Sequence, residues 1–281
     1  YGGSGNDRFY IQSVLAPMVI NGGDGANRYY ISSTAERSLF VTNGVYDDSG
    51  ENLAFPFSAN RLSSGMLSRI ANVLTINTGN GGNGGSRDAI YLSAAGSTTA
   101  LTAGLVTASQ VTGLFDPNNP NSPGSINYTT TTEGGVSLLV KLGALDDQLQ
   151  ISGAHANTQV YVFGGDGDDS INVGSPGDSL IAIDGIVAFF GEGGSEDTLN
   201  VHGTATAPAP DEVNPNQLTA IAVTGMGSGT NQLVSTHNDI FGADYSIENI
   251  ALDPEAASLQ AAQLLLADIE AFADRLGDRQ R

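Results

Sequence analysis

A turn rich in glycine and aspartate recurs along this chain, and each copy sits between short stretches of alternating apolar residues. The fullest copy is Gly164-Gly165-Asp166-Gly167-Asp168-Asp169, followed by Ile171 and Val173. Gly2, Gly3, Gly5 and Asp7 repeat its frame ahead of Phe9 and Ile11. Gly22, Gly23, Gly25 and Asn27 repeat it ahead of Tyr29 and Ile31, with an amide in place of the carboxylate. Asp88, Asp147 and Asp197 keep the same offset to Ile90 and Leu92, Leu149 and Ile151, and Leu199 and Val201, although their glycine frames are altered. On the upstream side, Met18 and Ile20, Leu138 and Val140, Val160 and Val162, and Ala188 and Phe190 lie nine and seven residues before an anchor.

The unit is therefore a strand of period two, a Gly/Asp turn, and a second strand of period two. Alternation turns one face of each strand inward, and strands this short cannot bury that face alone. Stacking successive units is the natural way to bury it. Anchors are 20 residues apart from Asp7 to Asn27, 22 from Asp147 to Asp169 and 28 from Asp169 to Asp197. The expected fold is all-β: a parallel β-helix or β-solenoid with coils of about 20–28 residues and one recognisable turn per coil. It is expected to occupy residues 1–252, with loop insertions near 93–125 and 205–240. The prolines of 116–125 and of 205–217 oppose regular strand pairing there. The tract Asn80–Ser86 lengthens the turn before Asp88.

Residues 253–281 read as a capping or linker α-helix. Asp253 suits the N-cap, Pro254 the first helical position, Glu255 the positive end of the dipole, and Gly277 the C-terminal stop. Leu259, Ala262, Leu266, Ile269, Ala273 and Leu276 form its apolar stripe. Capping is the simpler reading, because a stack of repeats exposes apolar surface at its ends.

Charge narrows the function. The chain carries 30 acidic and only 10 basic side chains, a net charge of −20, so nucleic acid and anionic membrane surfaces are poor partners. Self-repulsion on this scale destabilises a compact chain, and divalent cations relieve it. The absence of cysteine excludes a disulfide scaffold and cysteine-based zinc or redox chemistry. No apolar run approaches the length of a transmembrane helix. The chain opens at Tyr1, already inside a turn motif, and is expected to be a segment of a longer protein.

The turns at 164–169 and 2–7 match in full the calcium-turn nonapeptide G-G-x-G-x-D-x-U-x, where U is a large apolar residue, and that at 22–27 matches it except for Asn27. Ile126-Asn127-Tyr128, running on to the Asp146–Asp147 turn, and Asp244 to Leu252 resemble further copies of the unit. Together these stretches resemble the degenerate repeats of hemolysin-type (RTX-like) calcium-binding proteins, large bacterial surface or secreted proteins. The resemblance covers residues 1–31, 70–92 and 126–201. It implies Ca2+ held between turns of adjacent coils by motif aspartates and glycine carbonyls. Carried over position by position, the ligands are Gly164, Gly165, Asp166, Gly167, Asp168 and Asp169, and also Gly2, Gly3, Gly5 and Asp7. Calcium is a hard cation taking six to eight oxygen ligands, which suits such a donor set. One turn per coil, in place of the regular nonapeptide spacing, is the main departure from the family pattern.

The expected function is a calcium-binding structural or adhesive segment of a large exported protein, placed outside the cell or on the bacterial surface. Cell-surface glycan or protein is the corresponding partner. One alternative is a parallel β-helix enzyme acting on acidic polysaccharide, of lyase or epimerase type, with Lys141 and Arg87 as the basic residues nearest a turn. The other is a glycan- or protein-binding module using the loops near 93–125 and 205–240. Catalytic constellations are poor: His155, His202 and His237 share no metal-ligand spacing, and no G-x-S-x-G elbow occurs. Gly225-Met226-Gly227-Ser228-Gly229 lacks the Lys-Ser/Thr pair of a phosphate loop.

Overall fold

The computed structural model describes residues 1–35, 41–42, 45–46, 62, 64–79, 87–115, 123–130, 135–174, 182–183, 185–194, 197–203, 220–223, 232–238 and 244–247. Its strands, in chain order, are β1 (Gly3–Ser4), β2 (Arg8–Ile11), β3 (Met18–Asn21), β4 (Gly23–Asp24), β5 (Arg28–Ile31), β6 (Val41–Thr42) and β7 (Val45–Tyr46). Then come β8 (Val73–Asn77), β9 (Asp88–Ser93), β10 (Gly104–Val106), β11 (Gln110–Thr112), β12 (Ser125–Tyr128), β13 (Val136–Lys141) and β14 (Gln148–Ile151). The last are β15 (Thr158–Gly165), β16 (Ser170–Val173), β17 (Ile186–Glu192), β18 (Thr198–Gly203), β19 (Ala220–Val223), β20 (Gln232–Asn238) and β21 (Asp244–Ile247).

Two sheets organise them. One is seven-stranded and wholly parallel, in the order β19-β17-β15-β13-β9-β5-β2. The other is ten-stranded and mixed, in the order β21-β20-β18-β16-β14-β10-β11-β12-β8-β3. A parallel β1–β4 pair and an antiparallel β6–β7 pair stand apart from both.

This arrangement corrects the expected parallel β-helix or solenoid with a C-terminal α-helix. The described residues form one parallel and one mixed sheet, and no helix occurs among them. The stretch near 93–125, expected as a loop insertion, supplies β10 and β11. These run antiparallel to each other, with Leu105 opposite Thr112, and β11 runs antiparallel to β12, with Val111 opposite Ile126. The physical reason is local. The Thr107 N–H closes a tight turn by donating to the Gln110 carbonyl at 2.8 Å, so the next three residues pair back at once. An antiparallel return needs only such a turn, whereas a parallel one needs a long crossover. The stretch near 205–240 likewise supplies β19 and β20. Asp244–Ile247, read from sequence as the opening of another copy, instead pairs antiparallel with β20. The helix expected over 253–281, the loop over 205–217 and the Asn80–Ser86 tract lie outside the described residues.

Between the sheets lies one core. The parallel sheet contributes Ile11, Tyr29, Ile31, Ile90, Leu92, Leu138, Val140, Val160 and Val162. The mixed sheet contributes Ile20, Leu74, Ile76, Val106, Val111, Ile126, Leu149, Ile151, Ile171 and Val173. One inward assignment fails. Counting back from Asp197 predicts Ala188 and Phe190 facing the core, but Val187 and Phe189 do so, in register with Val160 and Val162. The turn from Gly191 to Asp197 is one residue longer than that from Gly164 to Asp169, and a shift of one residue exchanges the faces of a strand.

Ala188 and Phe190 belong to a second apolar cluster with Tyr30, Tyr91, Leu139 and Phe163 on the other face of the parallel sheet. Tyr10, Tyr30 and Tyr91 stack there in register, with ring centroids 5.3 and 4.8 Å apart. Apolar residues on both faces are the usual condition of a parallel sheet.

Candidate functional site

Outside the β10–β12 meander the chain alternates between sheets: β2, β5, β9, β13, β15 and β17 in the parallel one, β3, β8, β14, β16 and β18 in the mixed one. Because neighbouring strands within each sheet run parallel, all crossings in one direction lie along one edge and all returning crossings along the other. This divides the six anchors. Asp7, Asn27 and Asp88 lead into β2, β5 and β9 of the parallel sheet. Asp147, Asp169 and Asp197 lead into β14, β16 and β18 of the mixed sheet. The sequence suggests one row of turns; the fold makes two, on opposite edges.

Within each row the anchors bond to one another by a repeated rule. The Asp7 N–H donates to Asn27 Oδ1 at 3.0 Å, and the Asn27 N–H to Asp88 Oδ1 at 2.7 Å. On the other edge Leu101, Asp147 and Asp169 donate their N–H groups to Oδ1 of Asp147, Asp169 and Asp197 at 2.7, 2.9 and 3.0 Å. The anchor carbonyls of Asp7, Asn27, Asp147 and Asp169 accept from the residue after the next anchor, as in an ordinary parallel ladder. Every anchor except Asp7, the first of its row, therefore uses its side chain to satisfy a backbone N–H at the place where the turn interrupts that ladder. A buried N–H left unpaired is costly, which explains why a short carboxylate or amide recurs at this position. Asn27 does the same work as its aspartate neighbours.

The second carboxylate oxygen folds back beneath the first glycine of its own turn. Gly143 donates its N–H to Asp147 Oδ2 at 2.6 Å. A β-carbon at Gly2, Gly164 or Gly191 would run into Oδ2 of Asp7, Asp169 or Asp197. Oδ2 of Asp7 and of Asp169 is buried and has no hydrogen-bond partner among the described residues.

The carboxylates are electrostatically strained. Asp88, Asp147, Asp169 and Asp197 are all buried. Burial pushes Asp169 up to about 8, with the neighbouring charges of Asp147 and Asp197 adding to it against the Asp147 N–H and Lys141. Burial pushes Asp88 up to about 6, against hydrogen bonds from Asn27 and Gly79 and the charge of Arg28. Burial also raises Asp147 and Asp197, with Asp146 and Asp168 as the respective adverse charges.

The ten residues carried over from the calcium-turn pattern fall into two groups that the fold keeps apart. Gly164, Gly165, Asp166, Gly167, Asp168 and Asp169 stack between the turns at 143–147 and 191–197. Gly164, Gly165 and Asp169 are buried, whereas Asp166 and Asp168 are exposed. Their oxygens face the next turn: a β-carbon at Gly193 would meet Asp166 Oδ1 and the Gly165 carbonyl, and one at Gly194 would meet the Gly167 carbonyl and Asp168 Oδ1. Glycine at both places lets the two turns approach this closely. Gly2, Gly3, Gly5 and Asp7 lie at the other edge, where the carbonyls of Gly3 and Gly5 press on Gly23 and Gly25 in the same way.

Among the described residues no three Asp, Glu or His side chains gather tightly enough to hold a metal ion by themselves. A cation at either turn would therefore draw on main-chain carbonyls as well; at 164–169 the Gly165 carbonyl already accepts the Gly193 N–H at 2.6 Å, which leaves that of Gly167. Arg87 donates to the Asn157 carbonyl, and Lys141 pairs with Glu192. His155 is exposed, while His202 and His237 lie in β18 and β20. Comparison with protein-family models, with curated proteins and with solved structures finds no match.

Three features escape a reading of the sequence: the split into two rows, the bonds between anchors, and the Lys141–Glu192 pair. The first two depend on strand register, which no local pattern reveals. A signal for the third existed in Gly191-Glu192, where the two full frames have Gly-Gly.

Proposed function

We propose that this chain is a calcium-binding structural segment of an exported protein, with Ca2+ taken up between successive Gly/Asp turns. The observation that carries the reading is the turn at 164–169. There the Gly167 carbonyl and the carboxylates of Asp166 and Asp168 lie against the turn containing Gly193 and Gly194, whose Gly193 N–H is already taken by the Gly165 carbonyl. Beneath them lies Asp169, whose Oδ2 is buried without a hydrogen-bond partner among the described residues. These are hard oxygen donors of the kinds calcium prefers. Gly2, Gly3, Gly5 and Asp7 offer a second set, with the Asp7 Oδ2 in the equivalent place. When bound, the ion would offset mutual repulsion among carboxylates in a chain of net charge −20. Affinity in the range of extracellular calcium modules, roughly 0.1–1 mM, suits an exposed turn with few side-chain ligands. An extracellular or cell-surface location accords with that range and belongs to the same proposal, as does an adhesive contact with surface glycan or protein.

The test is thermal unfolding of chelator-treated protein, with and without millimolar calcium. Ligation of the folded state alone raises the midpoint by mass action. Calcium is expected to raise the melting temperature, and magnesium to raise it less, because magnesium demands tighter octahedral geometry. Identical melting curves in calcium and in chelator would overturn the reading.

A further inference from the structure

The 164–169 turn carries a cation of its own. Lys141, at the end of β13, extends past Gly165 and pairs with Glu192 at the end of β17. Its Nζ lies 3.3 Å from the point where a Gly165 β-carbon would stand, which places the ammonium against the 164–169 turn; glycine at 165 is required by the Gly143 carbonyl and by a φ of +120°. The lysine side chain is 14% exposed and that of Glu192 39%, which shields the pair in part from water.

Glu192 is unusual in its backbone. It stands opposite Gly165 in the β15–β17 register, and its φ is +72°, where Gly165 has +120°. Among the described residues only Leu62 shares a positive φ without being glycine. A non-glycine residue in that region is strained and persists only where the surroundings compensate it. Glycine would relieve the strain, and the matching positions of the two full frames, Gly3 and Gly165, are glycine. A carboxylate at this place, beside Gly193 and Gly194, adds an acidic oxygen donor next to the cation turn.

We propose that Lys141 is a tethered competitor for the cation at the 164–169 turn, holding Glu192 as its counter-charge and setting the affinity of the turn for Ca2+. The inference rests on the calcium reading above. With Lys141 removed, Glu192 is released as a further carboxylate ligand. A unit positive charge within several ångströms of a divalent ion at a solvated site changes its affinity by about tenfold.

Calorimetric titration of calcium into chelator-treated wild type, Lys141→Met, Glu192→Gln and the double variant tests this. Lys141→Met is expected to bind calcium about tenfold more tightly at the 164–169 turn. Glu192→Gln, which leaves the lysine without its counter-charge, is expected to bind severalfold more weakly. The double variant should lose most of the gain, because the released ligand is gone. Affinity of Lys141→Met within a factor of about two of wild type overturns the proposal. Should that variant not fold, unchanged affinity in Glu192→Gln overturns it instead. Binding absent from wild type and from every variant overturns the calcium reading itself, an outcome distinct from wild-type binding that is indifferent to Lys141.

Discussion

At the scale of single residues, the anchors are hydrogen-bonding devices first. Asp197 Oδ1 accepts the Asp169 N–H at 3.0 Å in a buried setting. Asp197→Asn keeps that acceptor, as Asn27 does on the other edge, and should cost less than the loss of the bond. Asp197→Ala orphans the Asp169 N–H and should cost about 1–3 kcal/mol in urea denaturation, with or without calcium. Asp88 allows a separate check, since it lies outside both sets of proposed ligands. Its folded pKa of about 6 exceeds the ordinary carboxylate value near 4. Between those values the folded state holds a proton that the unfolded chain has released. The associated stability is therefore complete below about pH 4 and lost as pH rises through about 6. The loss is on the order of 2–3 kcal/mol. Asp88→Asn should remove this component, measured as the difference in denaturation midpoint between pH 4.5 and pH 7.

Strands and turns show which signals survive in a single sequence. Alternation at Ile171 and Val173 is legible because β16 is half-buried with period two, whereas Leu138 and Val140 fit the frame within a strand whose first five residues are all buried. Ile171→Ala should cost about 2–5 kcal/mol and shift the calcium-loaded and calcium-free proteins alike, because the side chain acts in the core and not in a turn. The Val187/Ala188 assignment fails because period two carries no origin. One extra residue in the 191–197 turn moves the wrong face inward while the pattern in β17, Val-Ala-Phe-Phe, remains apolar throughout. Strands β10 and β11 are illegible for another reason. At three residues each they are too short for alternation to register, and Thr107, Ser109 and Thr112 read as loop. The second apolar cluster around Tyr30 and Tyr91 was open to view in sequence, yet a rule of one face inward discards it. Of the site, the glycine and aspartate positions were legible; the edge on which each turn lies was not.

For the whole molecule, the division of the turns between two edges has consequences for how it would respond to calcium. A strand rises about 3.3 Å per residue and neighbouring strands lie about 4.8 Å apart, which puts the turns at 2–7 and 164–169 roughly 20 Å or more from each other. At physiological ionic strength, charges are screened over about 8 Å. A cation entering one turn is thus nearly invisible to the other, and neither turn shares an anchor hydrogen bond with its counterpart. In already folded protein, the two uptakes should add without reinforcement, giving a Hill coefficient no greater than one. Stiffening would then rise with ambient calcium over a broad range of concentration, so that the segment behaves as a graded brace and not as a switch.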